Sequence, residues 1–346
     1  MAPLRYGLAG MVAMLTLPAL AHERWILNPD QAMRLNARPK PEIFTMFTVE
    51  GTLILIAFAA ATGALLSMHY GPTPRWLVRV SGRARKHAYW VPTILRGCAA
   101  WVLLSSAFGM EPQVGRDILT TPSFMAPDLI IADLGPGREW LGPLQIVVAL
   151  WLLIGIAAQG AGLALIAMTA LGGGLWGGAM LFYAPIWIGV GYYLLVRGGG
   201  HYCWREPALS GLSEMFPPVL FRYPQLVLRI CTGVNLLSMG LYFKVMQPNL
   251  SVGIITMYEV PILSLAPETF VFVMAMVECC GGLLILAGVL IRVVSLALLG
   301  AFVFFALFLP ETMTAHMLLY GVMVSFLLLG PGRTTRAGRY AQAVHA

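Results

Sequence analysis

Apolar residues are grouped into nine long stretches of the chain, and polar or basic segments separate each stretch from the next. An apolar stretch of about 20 residues is long enough to cross the hydrocarbon core of a bilayer as an α-helix. The pattern therefore predicts an all-α polytopic membrane protein with about nine transmembrane helices. The predicted helices span residues 44–68, 90–109, 141–158, 160–180, 182–196, 223–246, 268–290, 293–309 and 314–329.

The composition agrees with this class and excludes several others. Of the 346 residues, 59% are hydrophobic and 11% are charged, a balance that soluble domains do not have. The net charge of +7 comes mainly from basic residues in short loops, where they set membrane orientation, so no nucleic-acid partner is expected. The sequence has no Walker-type loop and no dinucleotide-binding fingerprint. The lipid bilayer is the first predicted partner.

The N-terminus has the pattern of a secretory signal peptide over residues 1–21. Arg5 precedes an apolar region, and small residues at Ala19 and Ala21 provide a cleavage site. Cleavage there would make His22 the N-terminal residue, whose amine and imidazole together suit copper. Two nitrogen ligands from one residue are only a weak indication of a metal site. Residues 22–43 are then expected to form an extracytoplasmic arm on the membrane surface.

Basic residues predict the orientation of the chain. The loop 70–89 has five basic residues and no acid, and the tail 333–346 has three arginines. Both are predicted to be cytoplasmic, which places the mature N-terminus outside a bacterial-type inner membrane. The loop 110–140 is then external. Its five acidic residues lack EF-hand spacing, so we expect a solvated loop there.

The two halves of the chain align without gaps at a shift of 133 residues. Arg96 then matches Arg229, and Gln145 matches Glu278. Matches between leucines are common in such a composition, but matches between polar residues at one shift are harder to obtain by chance. The alignment therefore predicts an internal repeat of two units in the same orientation.

Each predicted unit contains four helices. The units span residues 90–200 and 222–332, and the helix 44–68 precedes them. They differ at two polar positions, because the second unit has Glu278 in place of a glutamine, and His316 in place of Tyr183. The titratable groups are thus concentrated in the second unit, and the first is expected to act as a scaffold.

Glu278 is the most informative single residue, because it lies near the middle of the predicted helix 268–290. A charged side chain near the bilayer centre costs at least about 2.5 kcal/mol, so it is expected to have a partner or a task. The alternative is a protonated carboxyl group that bonds a neighbouring helix and serves only packing.

The second unit also carries short motifs in a fixed order. They are Arg229, Gly233, Gly240, Lys244, Glu278, Gly281, Gly282, Arg292 and the closing Gly330-Pro331-Gly332-Arg333. In this order the unit resembles the DoxX/DoxD-like membrane family, and residues 90–200 then resemble a degenerate copy. The resemblance implies a four-helix membrane module associated with redox work. One branch of the family is similar to the membrane subunit of thiosulfate:quinone oxidoreductase.

Carried onto matching positions, the resemblance implies functional roles for Arg229, Lys244, Glu278 and Arg292. The depth of each residue along its predicted helix adds Glu50 and His316 to these candidates. It predicts that the two join Lys244 and Glu278 in one outward-opening polar cluster.

A chain of polar residues from Arg229 through Asn235 to Glu278 is predicted to carry a proton or to hold a quinone oxygen, with His316 bonding a quinone carbonyl. The predicted catalytic residues are Glu278, Arg229 and His316. The predicted cofactor-binding residues are Glu50, Asn235, Lys244 and Arg292.

These observations favour the membrane subunit of a quinone-linked oxidoreductase system, with a sulfur compound as one option for the electron donor. A periplasmic or membrane redox partner is then expected, and quinone is the predicted cofactor. The alternative is a carrier, or an accessory or assembly protein, for a small solute or metal ion. The sequence leaves open whether the chain itself is an enzyme.

Overall fold

The computed structural model of the chain describes residues 27, 29–45, 48–70, 75–110, 121–203, 223–262, 264–309 and 316–330. The predicted signal peptide 1–21, the proposed copper ligand His22 and the tail 333–346 lie outside the described residues.

Helices make up most of the described chain. They are α1 (Pro29–Asn36), α2 (Glu42–Thr45), α3 (Val49–Tyr70), α4 (Arg75–Lys86), α5 (Val91–Phe108), α6 (Leu141–Ile154), α7 (Ala158–Trp176), α8 (Gly178–Leu181), α9 (Ala184–Arg197), α10 (Pro224–Met239), α11 (Pro248–Met257), α12 (Pro267–Ala287), α13 (Ile291–Phe308) and α14 (Met317–Leu329). A seven-residue π-helix, Gly240–Met246, continues α10 directly.

Six helical stretches of the described residues are long and apolar enough to cross a membrane. They are Val49–Tyr70, Ala88–Phe108, Ala158–Trp176, Pro224–Met246, Pro267–Ala287 and Ile291–Phe308. Two shorter apolar helices, α6 and α14, accompany them. The predicted class, an all-α polytopic membrane protein, is thereby confirmed, whereas the count of nine spanning helices stays a prediction.

Two groups of four helices form the bundle. In the first group α5 packs on α6 and α7 packs on α9, and in the second α10 packs on α12 and α13 packs on α14. The groups meet where α9 packs against α10 and where α14 packs against α5. One buried apolar cluster runs through both groups, so the contact between them is part of the core.

One turn has the same backbone conformation in both groups. Gly155 ends α6 and Gly288 ends α12, with left-handed φ angles of 75° and 77°. Two residues later, Ala157 and Leu290 are also left-handed, at φ 47° and 40°, which is uncommon for residues other than glycine. The paired positions are 133 residues apart. The duplication itself stays a prediction, and the shared turn is an observation in its favour.

Two helices occur where the sequence predicted only connecting segments. Helix α4 lies within the basic loop 70–89, and α11 follows the π-helix. The described part of the N-terminal arm packs on the protein itself, because its Leu35 packs against Gly253 of α11. The Asn249 side-chain amide also donates a hydrogen bond to the Arg38 carbonyl at 2.7 Å. The arm therefore docks on α11.

Helices α10 and α12 approach each other closely at two glycines. A Cβ atom on Gly282 would lie 2.9 Å from the Gly233 carbonyl oxygen, and a Cβ atom on Gly233 would lie 2.8 Å from the Gly282 carbonyl oxygen. Backbone atoms cannot rotate away as a side chain can. Small residues at both positions are therefore required for this helix crossing, as is common between membrane helices.

A Gly282→Leu variant is expected to lower the free energy of unfolding by about 1–3 kcal/mol, because the added side chain forces α10 and α12 apart. Thermal unfolding of the detergent-purified protein measures the change. Gly300→Leu on α13 is the matched control, since a Cβ atom there meets nothing within 4 Å. Equal unfolding midpoints for the two variants would show that the crossing does not need glycine.

Candidate functional site

Glu278 forms an ion pair with Lys244 inside the bundle. The Lys244 Nζ lies 2.7 Å from Glu278 Oε1 and donates a hydrogen bond to Oε2 at 2.9 Å. The side chains are 12% and 15% exposed, respectively. Glu278 is eleven residues into α12, about 16 Å along its axis, so the pair lies at membrane depth. The partner expected for this carboxylate is thus Lys244.

The π-helix brings Lys244 to Glu278. Its wider turns change the direction of the side chains relative to an α-helix, and such segments often occur at functional sites. Gly240 begins the π-helix next to Glu278, and a Cβ atom on it would lie 3.0 Å from the Glu278 Cβ. The missing side chain lets the backbone of the π-helix pass close to α12 at this level.

A cavity of about 90 Å³ lies beside this ion pair and between the two helix groups. Its polar lining residues are Tyr183, Asn235, Lys244, Glu278 and His316. Its apolar lining residues are Val102, Met125, Ala126, Pro127, Ile186, Trp187, Leu236, Met239, Phe302, Leu318 and Leu319. Both halves of the chain therefore build its wall.

The two halves contribute corresponding positions to this cavity. Three pairs of lining residues are 133 positions apart: Val102 with Asn235, Tyr183 with His316, and Ile186 with Leu319. Residues at matching positions of the two groups can line the same cavity only where the two groups face each other. The cavity thus lies at the contact between the groups.

His316 lines the cavity from the start of α14, where it is the residue before the first helical position. Its ring stacks on Phe302, with centroids 5.8 Å apart and an interplanar angle of 13°. The stacking fixes the plane of the imidazole. The structure thus brings His316, Lys244 and Glu278 to one cavity, as the sequence predicted for three of the four cluster members.

The fourth member, Glu50, lies elsewhere. Its carboxylate accepts a hydrogen bond from the Thr269 hydroxyl at 2.7 Å. Thr269 precedes Glu278 by nine residues on α12, a distance of about 13 Å along the helix, and Glu50 does not line the cavity. The expectation of one four-residue cluster is therefore wrong for Glu50. Glu50 does meet the helix that carries Glu278, but the depth estimate was wrong, because α3 begins at Val49 and not at residue 44, which leaves Glu50 in its first turn.

The predicted polar chain from Arg229 to Glu278 is not formed in the described structure. The Asn235 side-chain amide donates its hydrogen bond to the Phe182 carbonyl, in the segment before α9. Arg229 is 7% exposed and does not line the cavity, and its Nε has no hydrogen-bond partner among the described residues. Asn235 therefore positions the opposite wall of the cavity.

Arg292 also has a different place from the one predicted. Its guanidinium donates hydrogen bonds to the carbonyls of Leu327 at 2.7 Å and Leu328 at 3.1 Å, at the end of α14. A further bond reaches the Ser81 carbonyl at 3.4 Å. The last carbonyls of a helix lack partners within the helix, so Arg292 satisfies them. This role is structural and lies away from the cavity.

The sequence did not single out the opposite wall of the cavity. There the Tyr183 hydroxyl donates a hydrogen bond to Asp128, which is 3% exposed. The expectation of a solvated loop over residues 110–140 is therefore wrong for residues 123–131, which are buried in the bundle, whereas residues 132–140 are mostly exposed. The sequence did contain one signal for this wall, because Tyr183 aligns with His316 in the predicted repeat.

Gln145 holds this loop in place. Its Oε1 accepts a hydrogen bond from the Met125 backbone N–H at 2.7 Å, and its Nε2 donates to the Ser123 carbonyl at 2.8 Å. The Trp187 indole N–H donates to the Met125 carbonyl at 3.1 Å. Gln145 is fully buried, so both of its amide atoms are used in shaping the wall.

A metal site finds no support in the described chain, where no group of three or more His, Cys, Asp or Glu residues is arranged to hold an ion. Copper at His22 lies outside the described residues and stays a prediction.

The fold and the site together define a polytopic all-α membrane protein with a polar site between its two halves. Residues 224–317 match the family model described as DoxX, so the second half of the chain contains a DoxX domain. The resemblance inferred from the sequence is thereby confirmed for this part. The match includes Lys244, Glu278 and His316, whereas Asp128 and Tyr183 lie outside it. No curated protein and no solved structure matches the chain.

Proposed function

We propose that the cavity between the two halves binds the ring of a quinone and that the protein is the membrane subunit of a quinone-linked oxidoreductase. The observation that carries the proposal is the position of the Glu278–Lys244 pair. It lies at membrane depth, beside an imidazole, in a cavity whose other walls are mostly apolar. Apolar walls with a few convergent polar groups are typical of small-molecule sites.

The polar groups match the two oxygen forms of such a ring. The Lys244 ammonium can donate a hydrogen bond to a carbonyl oxygen, and the Glu278 carboxylate can accept one from a hydroxyl group. His316 can act in either sense, and its ring is fixed by Phe302. A ring that changes between a carbonyl form and a hydroxyl form would thus find hydrogen-bond partners in either form.

The size of the cavity limits how much of the ligand enters. Its volume of about 90 Å³ is smaller than the roughly 150 Å³ of an engineered cavity that admits benzene. The oxygen-bearing edge of the ring would therefore lie against Lys244 and Glu278. The rest of the ring and an apolar tail would extend past the partly buried Phe302 and Leu319.

Reduction of a quinone to a quinol takes up two electrons and two protons. In this proposal Glu278 first takes up a proton from solvent, which replaces its ion pair with Lys244, and then passes that proton to the ring oxygen in the cavity, because an acid must lie within hydrogen-bond reach of the atom it protonates. The second proton reaches the other ring oxygen, which stays outside the cavity, from solvent. The electrons come from a periplasmic or membrane redox partner, for which a reduced sulfur compound is one candidate donor.

The test of this function is the binding of a short-tailed benzoquinone to the purified protein, with organic extraction of any quinone that co-purifies. We expect about one bound quinone per chain. For the hydroquinone form of the same probe we expect an increase of about tenfold or more in Kd for Glu278→Gln, because the charge-assisted contact between the carboxylate and a ring hydroxyl is lost. Glu50→Gln is the matched control, since that carboxylate bonds Thr269 outside the cavity.

Wild-type protein that neither contains nor binds a quinone would contradict the proposal. Vesicle uptake assays that depend on Glu278 would then favour the carrier alternative. Equal weakening of binding by the two Gln variants would show that the effect of Glu278 is not local to the cavity.

A further inference from the structure

The wall built by the first half of the chain has a polar pair of its own. Tyr183 lines the cavity, and its hydroxyl donates a hydrogen bond to the buried carboxylate of Asp128. Both residues lie outside the segment that matches the DoxX family. This pair is therefore an addition of this chain to the site, on the wall contributed by the first helix group.

The position of Tyr183 is tied to that of Lys244. The preceding residue, Phe182, gives its carbonyl to the Asn235 amide and packs its ring on Tyr242 and Phe243, with centroids 4.6 and 5.0 Å away. These two aromatic residues directly precede Lys244 on the π-helix. The two polar parts of the cavity are thus held in a fixed relation by one packed unit.

The hydrogen bond to Asp128 sets the chemistry that Tyr183 offers to a ligand. A phenol has one hydrogen, and here that hydrogen points to the carboxylate. Towards the cavity the phenolic oxygen therefore acts as an acceptor. A ligand hydroxyl can donate to it, whereas a ligand carbonyl would place one acceptor against another.

The opposite part of the cavity does not make this distinction. Glu278 accepts and Lys244 donates, so a carbonyl and a hydroxyl both find a partner there. The difference in preference between the two forms of a ring must then come from the side of Tyr183.

We propose that the Tyr183–Asp128 pair is a second ligand-binding element of the cavity and that it selects the hydroxyl form of the ring, a hydroquinone, over the quinone. This inference rests on the proposed function, because it assumes that a quinone ring occupies the cavity. It assigns a binding role to the half of the chain that the sequence marked as a scaffold.

The experiment compares the dissociation constants of one short-tailed benzoquinone and its hydroquinone under anaerobic conditions. The wild type is expected to bind the hydroquinone about tenfold more tightly, the size of effect that one hydrogen bond gained and one acceptor clash avoided produce. In Tyr183→Phe the ratio falls to about 1, mainly through weaker hydroquinone binding. Tyr192→Phe, whose side chain does not line the cavity, is the control and keeps the wild-type ratio.

Asp128→Ala provides a second test. Without the carboxylate, the Tyr183 hydrogen is no longer held on Asp128, so the preference for the hydroquinone is expected to fall. An unchanged ratio in both Tyr183→Phe and Asp128→Ala, with the ligands still bound, overturns this inference alone. Failure of the wild type to bind either form overturns it together with the proposed function.

Discussion

A Lys244→Met variant is expected to lose about 3–5 kcal/mol of unfolding free energy, because it leaves the Glu278 carboxylate buried without its partner. A Lys244→Met/Glu278→Met double variant is expected to recover most of this loss. Methionine has a similar volume to both side chains, so the double variant replaces the pair by apolar packing. Removing one member of a buried ion pair is far more costly than removing both.

Thermal unfolding of the wild type, the two single variants and the double variant in one detergent gives the coupling between the side chains. The control is Glu50→Met, which removes a carboxylate that accepts a hydrogen bond from Thr269 at the start of α12. If the losses of the single variants simply added up in the double variant, Lys244 and Glu278 would not be coupled, and the ion pair would not be a unit of the site.

The second large effect is expected at Gln145. Gln145→Met leaves the Met125 N–H and the Ser123 carbonyl buried without this partner, at about 1–3 kcal/mol for each group. The loop that carries Met125 also lines the cavity, so affinity for the ring should fall with stability. A change on the scaffold half of the chain would thus alter binding at the cavity.

Thermal unfolding and benzoquinone binding, measured on the same preparation, test this prediction. Gln159→Met on α7 is the matched control, because Gln159 is half-buried and lies away from the loop. A Gln145→Met variant with wild-type stability and wild-type affinity would mean that the loop holds its position without Gln145. The wall formed by the first helix group would then need another explanation.

The sequence predicted the membrane class and the central importance of Glu278, because both depend on local signals. Long apolar runs identify helices that can cross a bilayer, and a single carboxylate within such a run stands out. The order of short motifs also identified the DoxX domain, which matches over residues 224–317. These features depend on spacing along the chain, which the sequence shows directly.

What the sequence could not show is where each helix begins and which side chains meet. The predicted helix start at residue 44 placed Glu50 near the level of Glu278, yet α3 begins at Val49, so Glu50 meets Thr269 at the start of α12. Arg292 looked like a site residue, but the turn after α12 directs it to the end of α14. Asp128 looked solvated because acidic residues surround it in sequence, whereas Gln145 folds that loop into the bundle.

The most direct test of the central claim is photolabelling with an azido-benzoquinone, followed by peptide mapping, with and without an excess of the unlabelled quinone. We expect one competed site per chain, with adducts in residues 125–127 of the first half and 318–319 of the second, which line the same cavity. Labelling confined to the lipid-facing helix α3, with no effect of the competitor, would contradict this expectation.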